Sequence, residues 1–149
     1  MKEISEFPPA EEMPWATAVK AFIVNGNGEI LVLKRNKNRP HSPGAYDIPG
    51  GRLENGEDPV SGVKRETLEE TGLEIEVGPV LAVNSFVRDD LQKITMLIFL
   101  CRPKSPGKIS LEKNVIDSFE WVGVEDAREI LAKFSGVVGN YLEYFRGKF

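Results

Sequence analysis

Apolar residues recur in short runs, and the period of each run predicts an element. Ala16 to Val24 (ATAVKAFIV) reads as a strand, and Asn25-Gly26-Asn27-Gly28 has the residue types of a tight hairpin turn. Glu29 to Arg35 (EILVLKR) is the expected returning strand. A polar loop (NKNRPHSPG) follows, and then a short extended segment, Tyr46-Asp47-Ile48, enters Pro49-Gly50-Gly51. Beyond Asp58 the pattern becomes helical. Asp58 suits the N-cap and Pro59 the first helical position; Val60, Val63 and Thr67 form a less polar face, and Gly72 supplies the stop. Leu73 to Val77 alternates as a half-buried strand does, and Gly78-Pro79 is expected to break it. Val80 to Val87 and Lys93 to Cys101 read as strands joined by the charged turn RDDLQ, with a further strand at Phe119 to Val122. Glu125 to Phe134 has a helical stripe of Ala127, Ile130, Leu131 and Phe134, and Tyr141, Tyr144 and Phe145 mark a short final helix. Strands on both sides of a central helix, with more helix at the end, predict an α+β fold whose mixed sheet is covered on two faces.

At 149 residues the chain is expected to form one domain, 1–149, with the Pro- and Glu-rich residues 1–14 as an extended arm. A net charge of −4 argues against a protein built around nucleic-acid polymers, but not against a nucleotide, since a bound cation can reverse the sign at one site. The single cysteine, Cys101, excludes an intramolecular disulfide and a cysteine zinc site, and its place at the end of an apolar run predicts a buried thiol. No apolar leader and no run of membrane-spanning length is present in the sequence, so the expectation is a cytoplasmic protein without membrane partners.

The chemistry concentrates in GRLENGEDPVSGVKRETLEETGL, residues 51–73. Glu66, Glu69 and Glu70 fall on one side of the predicted helix, where like charges one turn apart cost roughly 0.2–0.5 kcal/mol per pair. Packing gives no reason for three carboxylates in that arc. A hard divalent cation does, because Mg²⁺ takes carboxylate oxygens and keeps positions for water and phosphate.

The spacing of Gly51, Glu57, Arg65, Glu66, Glu69, Glu70 and Gly72 resembles the Nudix box of the Nudix hydrolases. At ~7% per position, chance would supply all seven at a given start with probability on the order of 10⁻⁸. Thr67 departs from the pattern, standing where the family usually has an aliphatic residue. The resemblance implies a Nudix-type α/β/α sandwich with a mixed β-sheet, and hydrolysis of a phosphoric anhydride with Mg²⁺, or Mn²⁺ as a substitute. Glu66, Glu69 and Glu70 match the family's metal positions, joined by the Gly50 carbonyl. Glu57 matches either an outer metal ligand or a partner of Arg65. Arg65 lies one turn before Glu69, which suits an ion pair. Arg52 is the candidate phosphate contact, and Arg35 and Arg39, with Lys37 nearby, are candidates to face substrate. His41, Trp15 and Trp121 are read as a loop residue, a residue free to pack or to touch a base, and a core residue, respectively.

Many family members place a general base a few residues before the tryptophan that Trp121 matches. Here that stretch reads SLEKNVIDSFEW, with Asn114 or Val115 at the expected place and Glu112 nearby. A box glutamate, Glu66, is the preferred base because Glu112 depends on a loop. The downstream marks of ADP-ribose, dinucleoside polyphosphate and NADH enzymes are missing, which leaves a MutT-like nucleoside triphosphate pyrophosphohydrolase by exclusion. ADP-ribose or nucleotide-sugar hydrolysis and dinucleoside polyphosphate hydrolysis are the alternatives. From another class, a non-catalytic Nudix-fold nucleotide sensor competes. The expected partner is a small nucleotide, and a homodimer is compatible with the sequence.

Overall fold

A computed structural model describes residues 14–105 and 107–148. Most of the arm expected at 1–14 lies outside the described residues. The described residues form seven strands: β1 (Ala16–Ile23), β2 (Ile30–Arg35), β3 (Tyr46–Asp47), β4 (Gly50–Arg52), β5 (Ile75–Val87), β6 (Lys93–Pro103) and β7 (Ile116–Val122). The helices are α1 (Pro59–Thr71), α2 (Val124–Ile130) and α3 (Ser135–Asn140). The strands form a four-stranded sheet, β4-β1-β6-β5, and a three-stranded sheet, β3-β2-β7. Only β1 and β6 run parallel, which makes the larger sheet mixed.

The turn at Asn25–Gly28 forms as predicted, with the Asn25 side-chain oxygen accepting from the Asn27 and Glu29 N–H groups. The strands it joins do not stay paired, however. They meet at a single bridge, Val24 to Ile30, and then part into different sheets. Both edges of β1 are already occupied, by β4 and by β6, so β2 pairs instead with β3 and β7.

β1 is buried on both faces, as strands between two helical layers are. Val19, Ala21 and Ile23 pack with Val63 of α1, whereas Phe22 packs with Leu131, Phe134 and Val138 of the C-terminal helices. The result is an α/β/α sandwich. Gly78-Pro79 does not end a strand, because β5 continues through it with two irregularities in register. β5 is an edge strand, where a bulge tolerates proline.

In α1, Asp58 caps Ser61 N–H at 3.1 Å, Pro59 leads, and Gly72 terminates at φ 73°. The apolar face is narrower than predicted: Val63 and Thr67 are fully buried, but Val60 is exposed. The helix expected at Glu125–Phe134 is also interrupted. Leu131 leaves helical geometry, a 3₁₀ turn spans Ala132–Phe134, α3 follows, and a π turn closes Tyr141–Phe145. This staggering lets Leu131, Phe134, Val137, Val138 and Tyr141 all reach one core. Cys101 is buried, which pushes its thiol up to about 12. Trp121 is half-buried against the α1-side core, and Trp15 is exposed with the Lys93 ammonium 5.9 Å from its ring. Among the described residues no helix is long and apolar enough to cross a membrane.

Candidate active site

One guanidinium ties the loop after β4 to α1. Arg65 Nε donates to Glu57 Oε2 at 2.7 Å and Nη2 donates to Oε1 at 2.9 Å, a bidentate fork. The Arg65 fork, with a further donation from Glu54 N–H, holds the Glu57 carboxyl down at about 2, and Glu57 in turn raises Arg65. Arg65 Nη1 lies 3.2 Å from both Glu69 oxygens and 3.2 Å from Glu66 Oε1. Glu57 is therefore a partner of Arg65, and Glu69 sits half-exposed beside the same guanidinium.

Glu66 and Glu70 face differently. Gly50 N–H donates to Glu70 Oε1 at 3.0 Å. Gly50 has φ 151°, and a Cβ there would overlap the Val19 carbonyl oxygen; at Gly51 a Cβ would lie 2.8 Å from the Glu66 carboxylate. Gly50 therefore needs glycine, whereas a side chain at Gly51 would displace the Glu66 carboxylate. Burial pushes Glu70 up to about 7, with the negative charges of Glu66 and Asp47 adding to the shift against opposition from Lys20 and Gly50 N–H. Burial also raises Glu66, against the pull of Arg65. Among the described residues no three carboxylate, imidazole or thiol groups converge into a ready metal cage. The donor set still fits Mg²⁺, which binds through one or two carboxylates and fills its shell with water and phosphate oxygens.

Glu66 and Glu70 open into a cleft of about 960 Å³. From the sequence-derived set, Gly50, Arg52, Arg35 and Arg39 share its wall, whereas Glu57, Arg65 and Glu69 do not. His41 lines the rim with Nδ1 3.1 Å from Asp89.

Lys20, Asp47 and Lys133 also line the wall and were not among the sequence candidates. Lys20 Nζ lies 3.1 Å from Asp47 Oδ2 and donates to the Ile48 carbonyl at 3.2 Å, and Lys133 Nζ lies 3.7 Å from the same Asp47 oxygen. Burial alone would raise Asp47, but Lys20, Lys133 and the Ile48 N–H outweigh it and hold the carboxyl low. A lysine inside AVKAFI was a usable signal, since a buried lysine needs a partner. Lys133 carried no comparable signal.

Glu112 also lines the cleft. Its loop is pinned to the end of α1: Ser110 N–H donates to the Thr71 carbonyl at 2.8 Å and Glu112 N–H donates to the Glu70 carbonyl at 3.0 Å. The reason for preferring Glu66 over Glu112 as base was the looseness of this loop, and these bonds remove it.

The NUDIX domain family profile matches residues 14–141. A MutT-like protein of Streptomyces ambofaciens is 29% identical over 118 residues, covering 79% of this chain and 70% of that protein. Nudix hydrolase 2 of Arabidopsis thaliana is 30% identical over 109 residues, 72% of this chain but only 39% of its own length. The crystal structure of a MutT protein from Methanosarcina mazei Go1 superposes with a TM-score of 0.75 at 25% identity, covering 89% of this chain and 98% of that one. The chain belongs to the Nudix hydrolases, pyrophosphohydrolases acting on nucleoside diphosphate derivatives. Members of the family generally use divalent metals.

Proposed function

We propose that this chain cleaves the pyrophosphate link of a nucleoside di- or triphosphate derivative with Mg²⁺, a MutT-like nucleoside triphosphate being the default substrate. The observation that carries the reading is the pair of desolvated carboxylates, Glu66 and Glu70, opening into one cleft beside Gly50 and Gly51. A bound cation would offset that crowding beyond what Arg65, Lys20 and the Gly50 N–H already supply. Glu66 and Glu70 would hold the metal, with the Gly50 carbonyl, and Glu69 would join by leaving Arg65. Bound there, the cation would neutralise phosphate oxygens and acidify the attacking water.

Arg65 and Glu57 act by fixing α1 against the loop after β4. Arg52, exposed on the cleft wall, is placed to meet a phosphate. The test is a panel of nucleoside di- and triphosphate derivatives assayed for phosphate and pyrophosphate release, with Mg²⁺ and with excess EDTA. Release is expected only with the metal. Turnover undiminished in EDTA would overturn the reading.

A further inference from the structure

Lys20 stands in β1 between Val19 and Ala21, both fully buried, and is itself only 7% exposed. A lysine is almost never buried to that degree unless it is paired. Its backbone pairs with Gly50 across β1 and β4, and its stem runs against the same glycine: a Cβ on Gly50 would lie 2.8 Å from both Lys20 Cα and Cδ. The ammonium lies 3.1 Å from Asp47 Oδ2 and donates to the Ile48 carbonyl at 3.2 Å. Gly50 in turn donates its N–H to Glu70, so one glycine contacts both the lysine and a box carboxylate. Lys20, Glu66 and Glu70 all line the same cleft. Asp47 has other cations near it, since Arg35 Nη1 and Lys133 Nζ each lie 3.7 Å from the same oxygen, and Glu66 has Arg65 at 3.2 Å. Glu70 depends more on Lys20. The groups that oppose the effect of its burial are Lys20, acting through space, and the Gly50 N–H. The charge of Lys20 acts on Glu66 as well. One buried positive charge is thus shared among three carboxylates, in surroundings where charges act on one another more strongly than in water.

We infer that Lys20 is a resident counter-cation of the metal site: it partly compensates Glu66 and Glu70 when no divalent cation is bound, and by like-charge repulsion it weakens the binding of that cation. The inference rests on the hydrolase reading above, in which Glu66 and Glu70 hold the metal. It adds a residue outside the box that sets how tightly they do so. Lys20 is a positioning residue, acting through Glu66, Glu70 and the Asp47–Gly50 segment. A lysine present only to brace that segment would behave in the opposite way, because its loss would loosen the site and the metal would bind more weakly. The two roles differ in sign.

The test uses the full chain and the metal alone. Lys20→Gln removes the charge but keeps a donor for the Ile48 carbonyl. In EDTA this variant should melt several degrees below wild type, because Glu66 and Glu70 lose their compensation. Its Mg²⁺ dissociation constant should nevertheless fall by roughly tenfold or more. Calorimetry at about pH 9 reads that constant with little competition from protons at Glu70, whose carboxyl lies at about 7. Lys133→Gln takes a half-exposed charge from the same Asp47 oxygen and should change the constant by less than about threefold. In the wild-type protein, Mn²⁺ should broaden the Lys20 side-chain NMR resonances, a measurement that needs no variant. A Mg²⁺ constant unchanged or raised in Lys20→Gln, an equal fall in Lys133→Gln, or Lys20 resonances left sharp by saturating Mn²⁺ would overturn the counter-cation. If wild type binds neither metal, the reading of Glu66 and Glu70 as metal-holding fails and takes the inference with it. If wild type binds Mg²⁺ and Lys20→Gln binds it equally, only the role of Lys20 fails.

Discussion

Thr67 occupies the middle of α1 with no exposure to solvent, and its Oγ1 has no hydrogen-bond partner. A threonine within a helix commonly donates to the carbonyl one turn back, as Thr71 does to Thr67 at 2.6 Å. Thr67 does not, so a hydroxyl is desolvated without compensation. Val has the same shape without the hydroxyl, and Thr67→Val should therefore stabilise the metal-free protein by about 1 kcal/mol. Thermal denaturation should show a rise of roughly 2–4 °C at this chain length; an unchanged or lower melting temperature would mean the hydroxyl has a partner in solution. At this scale the sequence was informative wherever partners lie close along the chain. Arg65 with Glu69 could be anticipated from helical spacing, and Glu57 as a partner of Arg65 was one of two roles the box resemblance implied. The Asp47 cluster could not, because Lys20, Arg35 and Lys133 come from three separate elements and their meeting depends on how two sheets and the C-terminal helices stack.

Among the elements, α1 was legible down to its caps, because Asp58, Pro59 and Gly72 act locally. The β1–β2 turn was legible too, but not the separation of its strands, which follows from β6 and β4 claiming both edges of β1. β5 passes Gly78-Pro79 for a similar reason, since edge position and bulging are tertiary properties. The same limit applied to the loop before β7. Read as sequence it offered Glu112 no fixed place, whereas in the structure it is bonded to the last turn of α1. Both Glu112 and Glu66 line the cleft, but Glu66 lies 3.2 Å from Arg65 Nη1 and close against Gly51. We therefore propose Glu112, rather than Glu66, as the base. Glu112→Gln should lower kcat by roughly 10²–10⁴-fold with Mg²⁺ affinity unchanged, whereas Glu66→Gln should weaken Mg²⁺ binding as well. If Glu112→Gln retains most of its turnover, the base lies in the box.

At the scale of the whole molecule, the proposed metal site would couple cation binding to stability. Folding takes Glu70 to 6% exposure and brings Glu66 beside it, a cost that the unfolded chain does not bear. A cation bound only to the folded state offsets that cost. At 100 times its Kd it adds about 2.7 kcal/mol, which corresponds to roughly 5–10 °C in melting temperature for a chain of this length. Glu70→Gln separates ligand loss from damage to the fold. Gln keeps an oxygen able to accept from Gly50 N–H while removing the desolvated charge. The metal-free Glu70→Gln protein should therefore melt at or above the wild-type temperature, and addition of Mg²⁺ should then raise it by much less than in wild type. The two effects have opposite signs, so a variant that is merely misfolded cannot imitate them. A Glu70→Gln protein whose Mg²⁺-induced shift equals that of wild type would remove Glu70 from the set of metal-holding residues and leave its burial without a cation to explain it.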